Sequence, residues 1–251
     1  MKSFTLTFGI ILSCFLGFAT PAISQQSRCA DCHFSRPDAL RADHLSDWER
    51  SAHSRHNIGC ERCHGGDATT FEPLLAHRNV LHSTNPSSPV NRRNLSNTCG
   101  KCHAGPFVAF QKSQHFALLE KGDTRVPVCS TCHGETGYRR PSARALETQC
   151  AQCHGVNRIA PRPERAEAAR TLYDGLHESR DLMKTVRSLV DRVNEKSRRA
   201  QLEEAYRQAE VPLIEAVQAG HQFVYDDLKG RLSVARQRME VLLAQLANPK
   251  P

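Results

Sequence analysis

The sequence predicts a mostly helical chain with much coil, ending in an antiparallel helical hairpin. Three observations predict it. Ten of the eleven cysteines recur in one pentapeptide that is used five times and never after residue 154. Beyond residue 160 the Cys- and Gly-rich texture gives way to apolar residues at 3–4 spacing, the period of a helix with one buried face. The 251 residues are 39% hydrophobic and only 6% aromatic, so something other than large side chains is expected to fill part of the interior.

At the N-terminus, Lys2 precedes an apolar stretch from Phe4 to Ala19 and a small-residue end at Ala22-Ile23-Ser24. This is the pattern of a secretory signal over residues 1–24, cleaved before Gln25. The expected location is therefore the periplasm or cell surface, where unpaired cysteines would be oxidised. The membrane is expected to be reached only through partners unless that segment is retained.

Residues 25–160 hold Cys29-Cys32-His33, Cys60-Cys63-His64, Cys99-Cys102-His103, Cys129-Cys132-His133 and Cys150-Cys153-His154, each a CxxCH. Structural zinc needs no His directly after the second Cys, and a thioredoxin-like pair needs a βαβ context, so neither explains five of five copies. CxxCH is the attachment sequence of c-type haem. Two thiols reach the two vinyl groups, and the adjacent His lies under the iron. The expectation is five covalently bound haems c, held by Cys29, Cys32, Cys60, Cys63, Cys99, Cys102, Cys129, Cys132, Cys150 and Cys153. Ionised propionates make each ferric haem about −1, so five offset most of the formal +8, and a nucleic-acid partner is not expected.

Five motif histidines leave His44, His53, His56, His77, His82, His115, His177 and His221 as second ligands. Trp48-x-x-Ser51-x-His53 and Phe110-x-x-Ser113-x-His115 have identical spacing, and each precedes a CxxCHG, so a two-haem unit is duplicated over 29–65 and 99–134. The spacing predicts the aromatic ring, Ser and His on one side of a short helix. His53 and His115 are therefore the first choices. His221 follows, on an apolar seam running Ile214, Val217, His221, Val224, Leu228, Ala235, Met239, Leu242, Leu246. His77 and His44 complete the set, with His82 and His177 as their alternatives, and His56 is read as solvated or propionate-bonding.

In the tail, 161–251, Leu172, Leu176, Met183, Val186, Val190 and Val193 mark one helix, and Pro212 is read as the first turn of a second. The hairpin is expected to pack on the haem-binding part, supply His221 and offer a surface for a homo-oligomer.

These motifs resemble the exported multihaem c-type cytochromes related to the tetrahaem cytochrome c of ammonia oxidisers and to the hydroxylamine oxidoreductase and pentahaem nitrite reductase superfamily. The resemblance implies a helix-and-coil fold around closely stacked haems, with the haems as core. It also implies distal-ligand roles for His53, His77, His115 and His221. The CxxCK site of the nitrite reductases is absent, and Tyr138, Tyr173, Tyr206 and Tyr225 match no tyrosine pattern of the oxidoreductases.

The expected function is electron transfer between a membrane quinol-linked donor, such as a quinol dehydrogenase, and other cytochromes or a terminal reductase. The Arg92-Arg93 and Arg139-Arg140 pairs are read either as propionate neighbours or as ordinary surface charge. Two readings compete: a reductase or oxidoreductase of small nitrogen or sulfur compounds with one open haem, and a subunit of an extracellular filament.

Overall fold

The computed structural model describes residues 27–36, 42–136 and 141–247. The signal segment, Tyr138 and the Arg139-Arg140 pair lie outside the described residues. The described chain is mostly helical and contains no strand. Ten helices lie between residues 28 and 154: α1 (Arg28–Ser35), α2 (Ala42–Glu49), α3 (Ala52–Arg55), α4 (Glu61–His64), α5 (Pro73–Ala76), α6 (Leu95–Gly100), α7 (Ala104–Gln111), α8 (Gln114–Glu120), α9 (Cys129–His133) and α10 (Ala143–His154). Three long ones follow: α11 (Pro163–Asp191), α12 (Lys196–Gln222) and α13 (Tyr225–Ala247).

The tail is thus a three-helix bundle rather than a hairpin, and two local features explain the difference. Pro212 does not start a helix but sits inside α12. Its missing N–H leaves the Gln208 carbonyl without the usual helical partner. Arg238 of α13 donates its Nη1–H to that carbonyl at 2.6 Å, so the helix continues through the proline. The seam expected to run unbroken from 214 to 246 instead breaks at Phe223, which adopts the left-handed conformation at φ 61° and closes α12. Upstream of the break the buried positions are Ala209, Leu213, Ala216 and Ala219, while Ile214 is exposed. Downstream, Leu228, Ala235, Met239 and Leu242 are buried as the spacing predicts.

The bundle encloses the main apolar core, in which Met183, Val186 and Val190 of α11 meet Leu202 and Leu213 of α12 and Leu232, Met239 and Leu242 of α13. Between residues 27 and 155 the one clustered apolar core among the described residues is Leu119, Val126 and Val128, with Leu95 and Phe116 against it. The two parts are joined where α12 packs across α7 and α11 packs on α10.

Both copies of the aromatic-x-x-Ser-x-His motif span a break between two helices instead of one side of a single helix. In each copy the Ser N–H bonds the carbonyl of the aromatic residue at 2.9 Å, which stops the first helix. The buried Ser hydroxyl then caps the second helix, accepting from Ser54 N–H for Ser51 and from Phe116 N–H for Ser113. Ser is favoured at such a cap because its oxygen satisfies an N–H that has no helical partner. The His is therefore placed in the first turn after a corner. The ring of Trp48 has a further task, donating its indole N–H to the Ile58 carbonyl at 3.0 Å and tying the corner to the approach of Cys60.

Candidate functional site: five facing histidine pairs

Every CxxCH occupies a helical turn or the end of a helix: within α1, across the start of α4, across the junction of α6 and α7, throughout α9, and at the end of α10. In the second and third motifs the His N–H bonds the carbonyl of the first Cys at 2.9 Å. One turn of α-helix places residues i, i+3 and i+4 on one face. Both thiols and the imidazole of a motif are thereby directed to the same side. Gly65 and Gly134 end the duplicated motifs with φ of 79° at both positions, a backbone state a Cβ would disfavour.

The histidines meet in five pairs, each joining a motif His to one from elsewhere in the chain. Ring centroids are 5.8 Å apart for His33 and His77, and 6.0 Å for His64 and His44, His103 and His53, and His154 and His115. His133 and His221 are 6.3 Å apart. The last pair is nearly parallel, with 13° between planes, whereas the other four are inclined by 57° to 89°. His82 instead contacts the Thr84 hydroxyl at 2.9 Å, His177 lies edge-on to Tyr173 at 4.6 Å, and His56 is exposed.

Hydrogen bonds orient the rings. His53, His77, His154 and His221 each place Nδ1 at 2.8 Å from a main-chain carbonyl, of Thr136, Pro73, Ala160 and Val217 respectively. A carbonyl can only accept, so Nδ1 carries the proton and the Nε2 lone pair is left for a metal. His44 uses the Glu135 carboxylate in the same way, at 3.2 Å. Nδ1 of His33 and of His115 is buried without a hydrogen-bond partner. Burial lowers the pKa of His33, His64 and His115, with the facing imidazole adding to the effect, and so favours the neutral form that can ligate.

The residues fit an iron porphyrin. A metal–imidazole bond of about 2 Å on each side puts facing ring centroids roughly 6 Å apart, which is the separation found in all five pairs. Among the described residues no group of three or more His, Cys, Asp or Glu could hold a bare ion. An ion between two imidazoles would then draw its other ligands from outside the protein, as the nitrogens of a porphyrin would supply them. Large apolar side chains close in sequence to the paired histidines, including Phe34, Leu74, Leu75, Val156 and Ile159, are exposed and suit the flat apolar face of such a group.

None of the ten motif cysteines is paired in a disulfide. Burial pushes Cys60 and Cys132 up to about 11, with Cys29 and Cys150 respectively adding to the shift. Burial also raises Cys63, with Cys102 contributing, and the Cys99 thiol is raised because it donates to Cys129, which is lowered to about 6. Consecutive motifs are therefore neighbours in space along the whole series. Arg92 clamps the chain ahead of the fourth motif, donating to the Thr124 and Val126 carbonyls at 2.7 Å each.

Sequence reasoning missed Phe223, Glu135 and Thr136. Phe223 lies edge-on to His115 at 4.5 Å, from a backbone state that no side-chain pattern announces. Glu135 and Thr136 directly follow the Gly of the fourth motif, a position that could have marked them.

The family described as cytochrome c7 and related cytochrome c matches residues 85–155, and the family described as cytochrome c554 and c-prime matches residues 18–65. The chain is also 26% identical over 116 residues to the C-type polyheme cytochrome OmcC of Geobacter sulfurreducens, an alignment covering 43% of this chain and 14% of that protein. This chain thus corresponds to a small part of that relative's length. No solved structure matches the chain. By these matches, residues 18–65 and 85–155 are similar to c-type cytochromes, and part of the chain is similar to a polyhaem one.

Proposed function

We propose that the chain is an exported electron carrier whose five CxxCH motifs would hold five haems c, each between one motif histidine and one distal histidine. The observation that carries this reading is the set of five facing pairs, each joining one CxxCH histidine to one distal histidine: His33 with His77, His64 with His44, His103 with His53, His133 with His221, and His154 with His115. Haem bound in this way supplies a reversible one-electron couple whose two nitrogen ligands stay in place in both oxidation states. The protein's part is to orient the imidazoles, and the carbonyl partners of His53, His77, His154 and His221 do so by accepting from Nδ1 and leaving Nε2 to face the opposite histidine. The adjacency of consecutive motifs supports a continuous series from first to fifth.

In this reading residues 1–24 are the signal, 25–160 the haem-binding part and 161–251 the part that packs on it and contributes His221. No helix among the described residues is long and apolar enough to cross a membrane. The proposed location is the periplasm or cell surface. The proposed partners are a quinol-linked donor and another cytochrome or terminal reductase. The closer kinship to the tetrahaem cytochrome of ammonia oxidisers and the hydroxylamine oxidoreductase and nitrite reductase superfamily is likewise a proposal, supported by the two Ser-x-His corners.

The test is haem quantification combined with spin state. Five equivalents of haem c, all low-spin and unable to bind CO when reduced, are the expected result. EPR should show four strongly anisotropic centres and one rhombic centre, because inclined and parallel imidazole planes split the iron d orbitals differently and only His133/His221 is near parallel. Fewer than five equivalents would overturn the pentahaem reading, and a high-spin, CO-binding fraction would replace electron carriage by catalysis at an open iron.

A further inference from the structure

The dipeptide that follows the fourth motif reaches back to two histidines of the first duplicated unit. The Thr136 carbonyl accepts from His53 Nδ1 at 2.8 Å, and the Glu135 carboxylate accepts from His44 Nδ1 at 3.2 Å. His53 faces His103 and His44 faces His64, so two neighbouring residues hold the distal histidines of the third and second pairs. They do so with acceptors of different charge. For three other histidines the acceptor at Nδ1 is a neutral carbonyl: Pro73 for His77, Ala160 for His154 and Val217 for His221.

We propose that Glu135 is a positioning residue that sets the second site to a lower reduction potential than its neighbour, acting through the His44 ring. This rests on the histidine pairs being iron ligands, as proposed above. The physical argument has two parts. A carboxylate draws the Nδ1 proton harder than a carbonyl does, which makes the opposite nitrogen a stronger electron donor to a bound metal. A negative charge one imidazole away also stabilises ferric iron relative to ferrous iron, which carries one electron more. Both effects favour the oxidised form. At the third site the Thr136 carbonyl supplies only the orientation. A single short loop thus creates a potential step between adjacent members of the series.

The contact is open to solvent, with the Glu135 side chain 60% exposed and His44 27% exposed, so the charge is partly screened. The expected shift is accordingly moderate. Replacing the carboxylate by a neutral acceptor in Glu135→Gln should favour reduction of one centre by roughly tenfold in its one-electron equilibrium constant, about 59 mV. The haem content and the low-spin signals should remain as in the unchanged protein.

The experiment is an EPR-monitored redox titration of the full haem-loaded protein, with dithionite as reductant. His44→Ala first identifies the second site as the centre that leaves the low-spin population. Glu135→Gln should then raise that midpoint and no other. Glu135→Asp, which keeps the charge, should hold it nearer its original value and serves as the comparison if the Gln variant does not mature. Glu178→Gln removes an equal charge from the bundle, where Glu178 pairs with Arg236, and should leave all five midpoints in place. An unmoved midpoint in Glu135→Gln, or the same movement in Glu178→Gln, would overturn the proposal while leaving the ligand assignment intact. If His44→Ala retains five low-spin centres, the ligand assignment itself fails and the proposal with it.

Discussion

The three-helix bundle and the cysteine-bearing part of this chain are both mostly helical, yet they are held together by different means. Residues 163–247 bury a continuous apolar core from Leu176 to Leu242, formed by all three helices. Residues 27–155 bury little more than Leu119, Val126 and Val128 as a cluster, and their helices are short, stopped by serine corners and glycine turns. Short helices are marginal in water without tertiary packing. The difference teaches that one part is stabilised by its own side chains, while the other, among the described residues, has paired imidazoles and exposed apolar residues but no comparable core.

The largest effect expected from this contrast is seen when haem attachment is blocked. The apoprotein should then lose structure over 27–155 and keep it in the bundle. Limited proteolysis followed by mass spectrometry should show cuts before residue 160 and a resistant fragment spanning the three long helices. A protease-resistant N-terminal part would break the comparison.

A core truncation tests the bundle in the opposite direction. Met239 is fully buried, and Met239→Ala should destabilise the bundle by about 2–5 kcal/mol, read from thermal or denaturant unfolding. The haem spectrum should be unchanged below the transition. A spectral change at low temperature would show that the two parts do not separate as described.

At the level of one site, His115→Ala should convert a single centre from low to high spin while five haems stay attached, as measured by EPR and haem quantification. His53→Ala should do the same to a different centre. An unchanged spectrum in either variant would remove that histidine from the ligand set.

The smallest effect belongs to the corners. Ser51→Ala and Ser113→Ala should each cost about 1 kcal/mol through loss of a helix N-cap. Both corners share the Ser N–H bond and the cap, and the Ser51 hydroxyl also donates to the Trp48 carbonyl at 2.6 Å, so Ser51→Ala should cost slightly more. A large difference between them, measured by chemical denaturation of the haem-loaded protein, would show that the surroundings and not the motif determine the geometry.

The legibility of the sequence follows the same division. The duplicated motif was visible because its aromatic, Ser and His recur at fixed spacing, although the spacing suggested one helix where a capped corner stands. His44, His53, His77, His115 and His221 were singled out as second ligands, and the structure sets each of them opposite a different motif histidine. Which faces which was not legible, because the pairing is fixed by contacts across the fold. The tail was misread at two residues. Pro212 reads as a helix start because a helix interior normally excludes proline, whereas the distant Arg238 satisfies the carbonyl that the proline leaves open. Phe223 breaks the seam in a backbone state that favours glycine, and nothing in its residue type signals this.

The crossing of the pairs bears on biogenesis. His53 lies between the first and second motifs but faces the third, and His115 lies between the third and fourth but faces the fifth. Each of these histidines has already left the ribosome when its opposite number emerges. His133 has no such advantage, since His221 comes only near the end of α12. A chain threaded outward from its N-terminus would therefore close its fourth centre last, making delivery of the tail the final step of maturation.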